Sequence, residues 1–229
     1  MVSPNSAGSK GAKRKPMASV AHCLEATERV GLLLLAAGSS DRMGSPKALL
    51  PWEGRPLIQH QLAVINQLPF SNVAVVLGAD ELAIGQHVIP DPVLHVAYNP
   101  HHLKGRSSSV GLGTHILKGS DAIVVLNVDQ PMNVPLFIDL LEGAVAYPAA
   151  PIIIPMYQGT RGHPILVRRA LFPELLNLDE KSEGLKAVVR RWQGTIQTIE
   201  TQESNAVLTF NTPHEYRNSV SMKNDHNPV

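Results

Sequence analysis

The chain has 229 residues, 44% of them hydrophobic, and a formal net charge of +1. This is enough apolar material for one α/β domain with a sizeable core, and the length argues against a second full domain. The first 29 residues carry a net charge of +3, which leaves −2 on the remainder, so by charge the body of the chain is not a nucleic-acid-binding surface.

The amino-terminal residues 1–28 lack hydrophobic periodicity and are rich in Ser, Gly, Lys and Ala. They are predicted to form a disordered basic tail before a single domain over residues 29–218, with a flexible tail over 219–229. The basic cluster from Lys10 to Lys15 is either a polyanion or localisation signal or a solvated extension, and no apolar segment of signal-peptide length follows it. The only cysteine, Cys23, excludes an intramolecular disulfide and a cysteine metal cluster, which fits a cytoplasmic protein.

The run from Val30 to Lys47 passes from an unbroken apolar segment into a Gly/Ser-rich turn. The apolar half is too short to cross a membrane and too uniform for a half-exposed strand, so it predicts a strand buried on both faces of a parallel sheet. Open α/β sheets bind ligands beyond the carboxyl ends of their strands. Gly38 and Gly44 allow backbone N–H groups to approach an anion, and Arg42 and Lys47 add positive charge. The run therefore predicts a polyphosphate-binding loop.

Strand-like and helix-like segments alternate along the rest of the chain. Strands are predicted at 72–78, 93–97, 121–128, 151–155, 165–167 and 195–199, and helices at 57–68, 80–87, 107–117, 137–141, 170–176 and 183–192. Gly111 and Gly113 disfavour the third of these helices, either because a ligand approaches its backbone or because it packs tightly on the sheet. The alternation predicts an α/β fold with a doubly wound, mostly parallel sheet.

Two common phosphate-binding signatures are absent. Gly38 and Gly44 are separated by five residues and followed by Ser45, which breaks the spacing of a P-loop. Gly111 and Gly113 have Ile116 where a dinucleotide fingerprint needs its third glycine. Neither a His-Glu-x-x-His zinc motif nor a Gly-x-Ser-x-Gly nucleophile elbow occurs. Kinases, dehydrogenases and serine hydrolases are accordingly disfavoured.

The block Leu-Ala-Ala-Gly-Ser-Ser-Asp-Arg-Met-Gly at 35–44, with Lys47, carries a family resemblance. The match to the family continues over residues 49–60, and shorter matching segments follow in the same order at 105–109, 129–131, 157–164 and 212–213. Over about residues 31–216 the chain resembles the nucleotidyltransferases of the molybdenum cofactor group, most closely those that act as molybdopterin cytidylyltransferases. The resemblance implies a single domain of Rossmann-like nucleotidyltransferase fold.

The implied activity is the Mg²⁺-dependent transfer of CMP from CTP to a phosphorylated acceptor, molybdopterin, with release of pyrophosphate. Two alternatives stay open: the same chemistry on a sugar phosphate or phospholactate, or a catalytically weak nucleotide- or cofactor-binding protein of the same fold. The expected partners are a nucleoside triphosphate and a small phosphorylated acceptor, without nucleic acid or membrane. Whether a molybdoenzyme or a chaperone also binds is not determined by the sequence.

The site residues follow from the matched positions. Catalytic roles are expected for Arg42, Lys47 and Asp129, since cations hold a triphosphate and stabilise the charge on departing pyrophosphate. Two cations do not neutralise a triphosphate, and Mg²⁺ prefers oxygen ligands, so Asp129 and Asn211 are the expected metal ligands. Asp129 is alternatively a turn or helix-capping aspartate. Nucleotide contacts are expected from Leu35, Ala36, Ala37, Gly38, Ser39, Ser40, Gly44, Lys47, Ser107 and Ser108.

Three positions depart from the family pattern. Asn211 stands where the family carries an acidic residue before Thr-Pro, which keeps an oxygen ligand and loses a charge. The segment 182–186 lacks the family's aspartate and arginine, and Arg106 stands where an apolar residue is expected.

On the acceptor side, a phosphate monoester is already a dianion at neutral pH, because its second pKa is about 6, so attack on the α-phosphate needs no general base. Arg161, Gly162, His163 and Pro164 are the expected acceptor-binding residues. His163 is alternatively a turn histidine bonded to backbone, and the pair His101-His102 is expected to lie on the loop surface.

Base choice is expected to depend on Ala37. Guanylyl enzymes of the group tend to have a second glycine at this position, and the extra methyl of alanine would crowd a purine more than a pyrimidine. One methyl discriminates by only about 1–3 kcal/mol, so CTP is a preference.

Overall fold

The structure is a computed structural model that describes residues 29–40 and 43–225. The expected amino-terminal tail and the candidate Arg42 therefore lie outside the described residues. The strands are β1 (Val30–Ala36), β2 (Pro51–Trp52), β3 (Arg55–Pro56), β4 (Asn72–Leu77), β5 (Leu94–Tyr98), β6 (Ala122–Asn127), β7 (Ile152–Tyr157), β8 (Thr160–Arg161), β9 (Ile165–Arg168) and β10 (Ile196–Glu200). The helices are α1 (Leu57–Ile65), α2 (Glu81–Gly85), α3 (Arg106–Ile116), α4 (Val134–Ala146), α5 (Phe172–Leu176), α6 (Leu185–Arg191) and α7 (Pro213–Asp225).

One sheet organises these elements, with the strand order β10-β7-β9-β6-β1-β4-β5 and β8 paired to β7. β1 is parallel to both of its neighbours, β4 and β6. β9 runs antiparallel between β6 and β7. The predicted doubly wound, mostly parallel α/β sheet is confirmed.

β1 is buried along its whole length, as its uninterrupted apolar sequence predicts. Leu32 and Leu34 pack in the core layer that contains Phe137 of α4, while Leu33 and Leu35 pack in the opposite layer. Because successive side chains of a strand point to opposite faces, one apolar run supplies both layers. The strand is thereby held rigidly at the centre of the sheet.

The chain leaves β1 toward β4 on one side and returns through β6 on the other, which makes β1 the point where the strand order reverses. In open α/β sheets a crevice forms at such a point, beyond the carboxyl ends of the strands. The loops that follow β1 and β6 both emerge there, so the fold brings residues 37–40, 43–47 and 128–132 to one edge.

Close packing explains one of the two glycines in α3. A Cβ atom at Gly113 would clash with the side chain of Leu33 on β1. At Gly111 the nearest atom would be 3.6 Å away, an ordinary contact. Of the two interpretations of these glycines, tight packing of the helix on the sheet accounts for Gly113.

Two local features were not predicted from the sequence. Residues 51–56 form a β-hairpin, in which β2 and β3 pair antiparallel. The domain boundary expected after residue 218 falls inside α7, which continues to Asp225. The helix begins at a capping box, because the N–H of Glu215 donates to Thr212 Oγ1 at 3.2 Å and the Glu215 carboxylate accepts from the N–H of Thr212 at 3.2 Å. Within the described ranges, no helix is both long and apolar enough to span a bilayer.

His60 links α1 to the loop after β6 and gives the fold a pH dependence. Its Nε2 lies 2.9 Å from the carbonyl oxygen of Met132, and the residue is 6% exposed. Burial lowers the pKa of His60, the Met132 carbonyl partly opposes this, and the charge of Arg55 lowers it further. The unfolded chain therefore takes up this proton at a higher pH than the folded chain. The contribution of neutral His60 to the free energy of unfolding is therefore fully present above the ordinary histidine pKa of about 6.5 and decreases as the pH falls below it.

We expect the urea midpoint of the wild type to fall between pH 7.5 and 5.5, and that of His60→Gln to fall less steeply. Equilibrium urea unfolding followed by circular dichroism measures this. His115→Gln, at an exposed position of α3, is the control for the loss of a surface histidine. Equal pH slopes for the wild type and His60→Gln would contradict the assignment.

Candidate active site

The loop after β1 is curled so that Lys47 faces the edge of the sheet. The N–H of Met43 donates to Ser40 O at 2.8 Å, and the N–H of Lys47 donates to Ser40 Oγ at 3.0 Å. Gly44 has a φ of +70°, a conformation that favours glycine. Ser40 therefore organises the loop itself, and the short 3₁₀ turn Lys47–Leu49 follows directly.

The loop after β6 is held against α1 by a buried amide. Gln61 is fully buried, and its Nε2 donates to Gln130 O at 2.7 Å and to Val128 O at 3.3 Å. Its Oε1 accepts from the N–H of Met132 at 3.2 Å. Three hydrogen bonds from one side chain thus fix the backbone on both sides of Asp129. No sequence motif or hydrophobic spacing indicates this role for Gln61.

Lys47, Asp129 and Asn211 converge at this edge although they are far apart in the sequence. Lys47 Nζ lies 2.6 Å from Asp129 Oδ2 and 3.4 Å from Asn211 Oδ1. The side chains of Lys47 and Asp129 are only 16% and 17% exposed. One carboxylate and one amide oxygen therefore already contact a single cation, the ammonium of Lys47. Oxygen ligands of this kind suit Mg²⁺, so the residues fit the metal that the resemblance implies.

Across the described ranges 29–40 and 43–225, no group of three or more His, Cys, Asp and Glu side chains is placed to hold a metal. This agrees with the geometry above, because the candidate site has only one carboxylate, that of Asp129, and its second candidate ligand is the amide oxygen of Asn211. Mg²⁺ usually keeps several waters and takes one or two carboxylates plus substrate phosphates. The protein alone therefore supplies only part of the coordination, and a bound triphosphate would supply more.

A cavity of about 760 Å³ opens in front of Lys47 and Asp129. Most of the expected nucleotide-binding residues line it, namely residues 35–40 and Lys47, together with both candidate metal ligands. Gly44, Ser107 and Ser108 are not in the lining. The lining also includes residues that the sequence analysis did not select: Arg106, Ser109, Asn127, Gln130 and His102. His102 was expected on the loop surface and instead borders this cavity.

The three serines at the start of α3 have different partners. Ser107 Oγ donates to Glu180 Oε2 at 2.5 Å, and its N–H donates to the same oxygen at 2.8 Å. Ser108 and Ser109 both accept from Asn99 Nδ2 at 2.9 Å. Of the three, only Ser109 borders the cavity. Successive helix residues point in different directions, so three adjacent serines could not be distinguished in the sequence.

Glu180 remains ionised at this helix terminus. Burial alone would raise the pKa of Glu180, but hydrogen bonds from Ser107 and the charge of Arg106 outweigh it and lower the pKa. A carboxylate at a helix amino terminus is favourable, since it meets free N–H groups and the positive end of the helix dipole. The contact anchors the segment 180–184 to the start of α3.

A second cavity, of about 360 Å³, adjoins the first. The two share four lining residues, Leu35, Arg106, Asn127 and Gln130. Arg161, Gly162 and His163, three of the four expected acceptor-binding residues, line the second cavity, and Pro164 does not. Two further cations in its lining, Lys186 and Arg190, both belong to α6. A cationic cavity beside the first one suits an anionic acceptor.

His163 matches the alternative given for it as a turn histidine bonded to backbone. Its Nε2 lies 2.8 Å from Leu208 O, and its N–H donates to Ala206 O at 2.8 Å. Burial lowers the pKa of His163, while the Leu208 carbonyl and the charge of Asp129 oppose this shift. The imidazole therefore stays neutral near neutral pH, and it borders the second cavity as a neutral group.

Comparisons with known proteins agree with this architecture. The family description "MobA-like NTP transferase domain" matches residues 32–197. The chain is 28% identical over 193 residues to the purine catabolism protein PucB of Bacillus subtilis, covering 80% of this chain and 92% of that protein. It is 23% identical over 188 residues to the molybdenum cofactor cytidylyltransferase of Escherichia coli, covering 82% of this chain and 93% of that protein.

Among solved structures, the homologue of Mycobacterium tuberculosis Rv0371c from Mycobacterium sp. strain JC1 superposes with a TM-score of 0.71 and 25% sequence identity. The superposition covers 87% of this chain and 98% of that one. The sheet order, the cavity at the ends of β1 and β6 and the family match over 32–197 agree, and the chain belongs to the MobA-like NTP transferase family of nucleotidyltransferases.

Proposed function

We propose that the protein transfers CMP from CTP to the phosphate of a molybdopterin-type acceptor and releases pyrophosphate. The observation that carries this proposal is the convergence of Lys47, Asp129 and Asn211 in the first of two adjoining cavities. A nucleotide in the first cavity and an acceptor in the second would meet at the residues that the cavities share.

The chain's own residues would hold the triphosphate. Residues 37–40 and Lys47 line the first cavity, where the backbone N–H groups of the loop and the ammonium of Lys47 are proposed to contact the phosphates, and Arg42 is proposed to add a second cation. Mg²⁺, bound by Asp129 and Asn211, would neutralise triphosphate charge and stabilise departing pyrophosphate. Lys47 would then exchange its contact with Asp129 for one with phosphate oxygens. Catalysis is alignment combined with electrostatic stabilisation.

No protein base is required for the transfer. An oxygen of the acceptor phosphate dianion forms a bond to the α-phosphorus, and the bond to the bridging oxygen breaks with its electron pair on pyrophosphate. His163, neutral and bonded to a backbone carbonyl, is then an orienting or hydrogen-bonding group beside the acceptor. Arg161 is proposed to attract the acceptor's negative charge.

The choice of CTP and of the pterin acceptor rests on finer features. Ala37 borders the first cavity, where its methyl group would disfavour a purine by the modest amount expected for one methyl. The relative from Escherichia coli is named a molybdenum cofactor cytidylyltransferase. The relative from Bacillus subtilis is named for purine catabolism, so the test compares several phosphorylated acceptors.

The experiment incubates the purified protein with Mg²⁺, each of the four nucleoside triphosphates and a candidate acceptor, and follows pyrophosphate release. We expect release with CTP and molybdopterin. Release only with a sugar phosphate or phospholactate would overturn the pterin acceptor. Binding of a nucleotide by calorimetry without turnover on any acceptor would favour the alternative of a nucleotide-binding protein that has lost activity.

A further inference from the structure

Arg106 lies where the two cavities adjoin, and no other described lysine or arginine borders both of them. Lys47 lines only the first cavity, and Arg161, Lys186 and Arg190 line only the second. Within residues 29–40 and 43–225, Arg106 is the only lysine or arginine that lines both. The other three shared residues, Leu35, Asn127 and Gln130, are uncharged.

The backbone of Arg106 is clamped while its side chain remains exposed. Arg106 is the first residue of α3, and the side chain of Glu180 packs against the preceding Gly105. Glu180 Oε2 accepts from the N–H of Ser107 at 2.8 Å, which fixes the residue that follows. Arg106 is an exposed residue and borders both cavities from this fixed point.

The chemistry of the proposed reaction needs a cation at this junction. The acceptor phosphate and the α-phosphate are both anionic, and they have to come within bonding distance of each other. Like charges that approach in a partly desolvated site repel strongly. A guanidinium offers five N–H donors in a planar fork, stays protonated, and can donate to oxygens of two phosphates at once.

We infer that Arg106 is a catalytic residue that contacts the α-phosphate of the nucleotide and the phosphate of the acceptor together. This inference rests on the proposed function, whose transfer step it describes. As the acceptor oxygen bonds to the α-phosphorus and the bond to pyrophosphate breaks, Arg106 donates hydrogen bonds to the non-bridging oxygens of both groups. No proton leaves Arg106 in this step.

Anion binding tests the inference without any turnover. Pyrophosphate is the probe for the first cavity and inorganic phosphate the probe for the second, each titrated by calorimetry and by ³¹P NMR. We expect Arg106→Met to raise the dissociation constants of both anions at least tenfold. The matched controls are Lys47→Ala, expected to weaken the binding of pyrophosphate only, and Arg161→Met, expected to weaken the binding of phosphate only. The inference would be overturned if Arg106→Met weakened the binding of only one anion or of neither, or if the wild type bound neither anion.

Kinetics provide a second readout with the substrates that support turnover. We expect Arg106→Met to lower kcat about a hundredfold, because the repulsion is greatest when the new bond forms. Arg106→Lys should recover only part of this loss, since an ammonium lacks the fork. Circular dichroism and the melting temperature establish that each variant is folded. If no acceptor supports turnover in the wild type, the proposed function fails, and the anion-binding pattern still decides the role of Arg106.

Discussion

Replacing Lys47 by alanine should lower the turnover number on the order of 10²–10³-fold, the typical cost of removing one preorganised group that stabilises transition-state charge. The reason is positional: the ammonium of Lys47 is held 2.6 Å from Asp129 at the edge of the first cavity, with little exposure to solvent. The measurement is the rate of pyrophosphate release at saturating nucleotide and Mg²⁺.

Lys118→Ala is the matched control, because Lys118 is exposed and lies just beyond the end of α3. It should retain the wild-type rate. A thermal melt of Lys47→Ala excludes unfolding as the cause, since the substitution leaves the largely buried Asp129 carboxylate without this cation. A rate for Lys47→Ala within threefold of the wild type would show that the loop does not hold the triphosphate.

Replacing Asp129 by asparagine should abolish activity together with the response to Mg²⁺. Asparagine has nearly the same shape and keeps an oxygen, but it removes the carboxylate from a site whose other proposed protein ligand, Asn211, is also uncharged. Mg²⁺ bound mainly through neutral oxygens loses most of the attraction that a carboxylate provides. The measurement is initial rate against Mg²⁺ concentration, paired with Mn²⁺ binding by electron paramagnetic resonance in the presence of CTP.

Asn211→Asp is the reciprocal variant and should bind Mn²⁺ more tightly than the wild type, because it adds a charge to the same site. Asp91→Asn, at an exposed loop position, is the control and should change neither measurement. A Mg²⁺ response retained in Asp129→Asn would mean that another residue holds the metal.

The sequence was most informative where one pattern determines one structural fact. A strand that is apolar at every position has to be covered on both faces, and β1 lies accordingly at the centre of the sheet. Asp129 follows another apolar strand, β6, which is the parallel neighbour of β1, and it lies near the loop after β1. Strand ends meet at one edge in a parallel sheet, so this part of the site follows from topology.

The sequence was least informative where polar side chains act in the interior. Gln61 lies on the buried side of α1, but hydrophobic spacing counts only apolar residues, and its partners are backbone atoms 67 to 71 residues away. Glu180 binds Ser107 across 73 residues, so no local pattern links them. Arg106 could not be identified from local sequence either, because its proposed role depends on two cavities that exist only in the folded chain. The role of Arg42 stays a prediction.

The capping box of α7 also affects the metal site. The Glu215 carboxylate that caps this helix accepts from the backbone N–H of Asn211 at 2.6 Å, and Tyr216 of the same helix packs on Phe210. Asn211 therefore owes its position to α7, at the carboxyl-terminal side of the domain. Asp129 is held by the loop after β6, so the two proposed metal ligands are positioned by separate parts of the fold. Changes in α7 are consequently expected to alter the affinity of the proposed metal site while the loop after β1 stays unchanged.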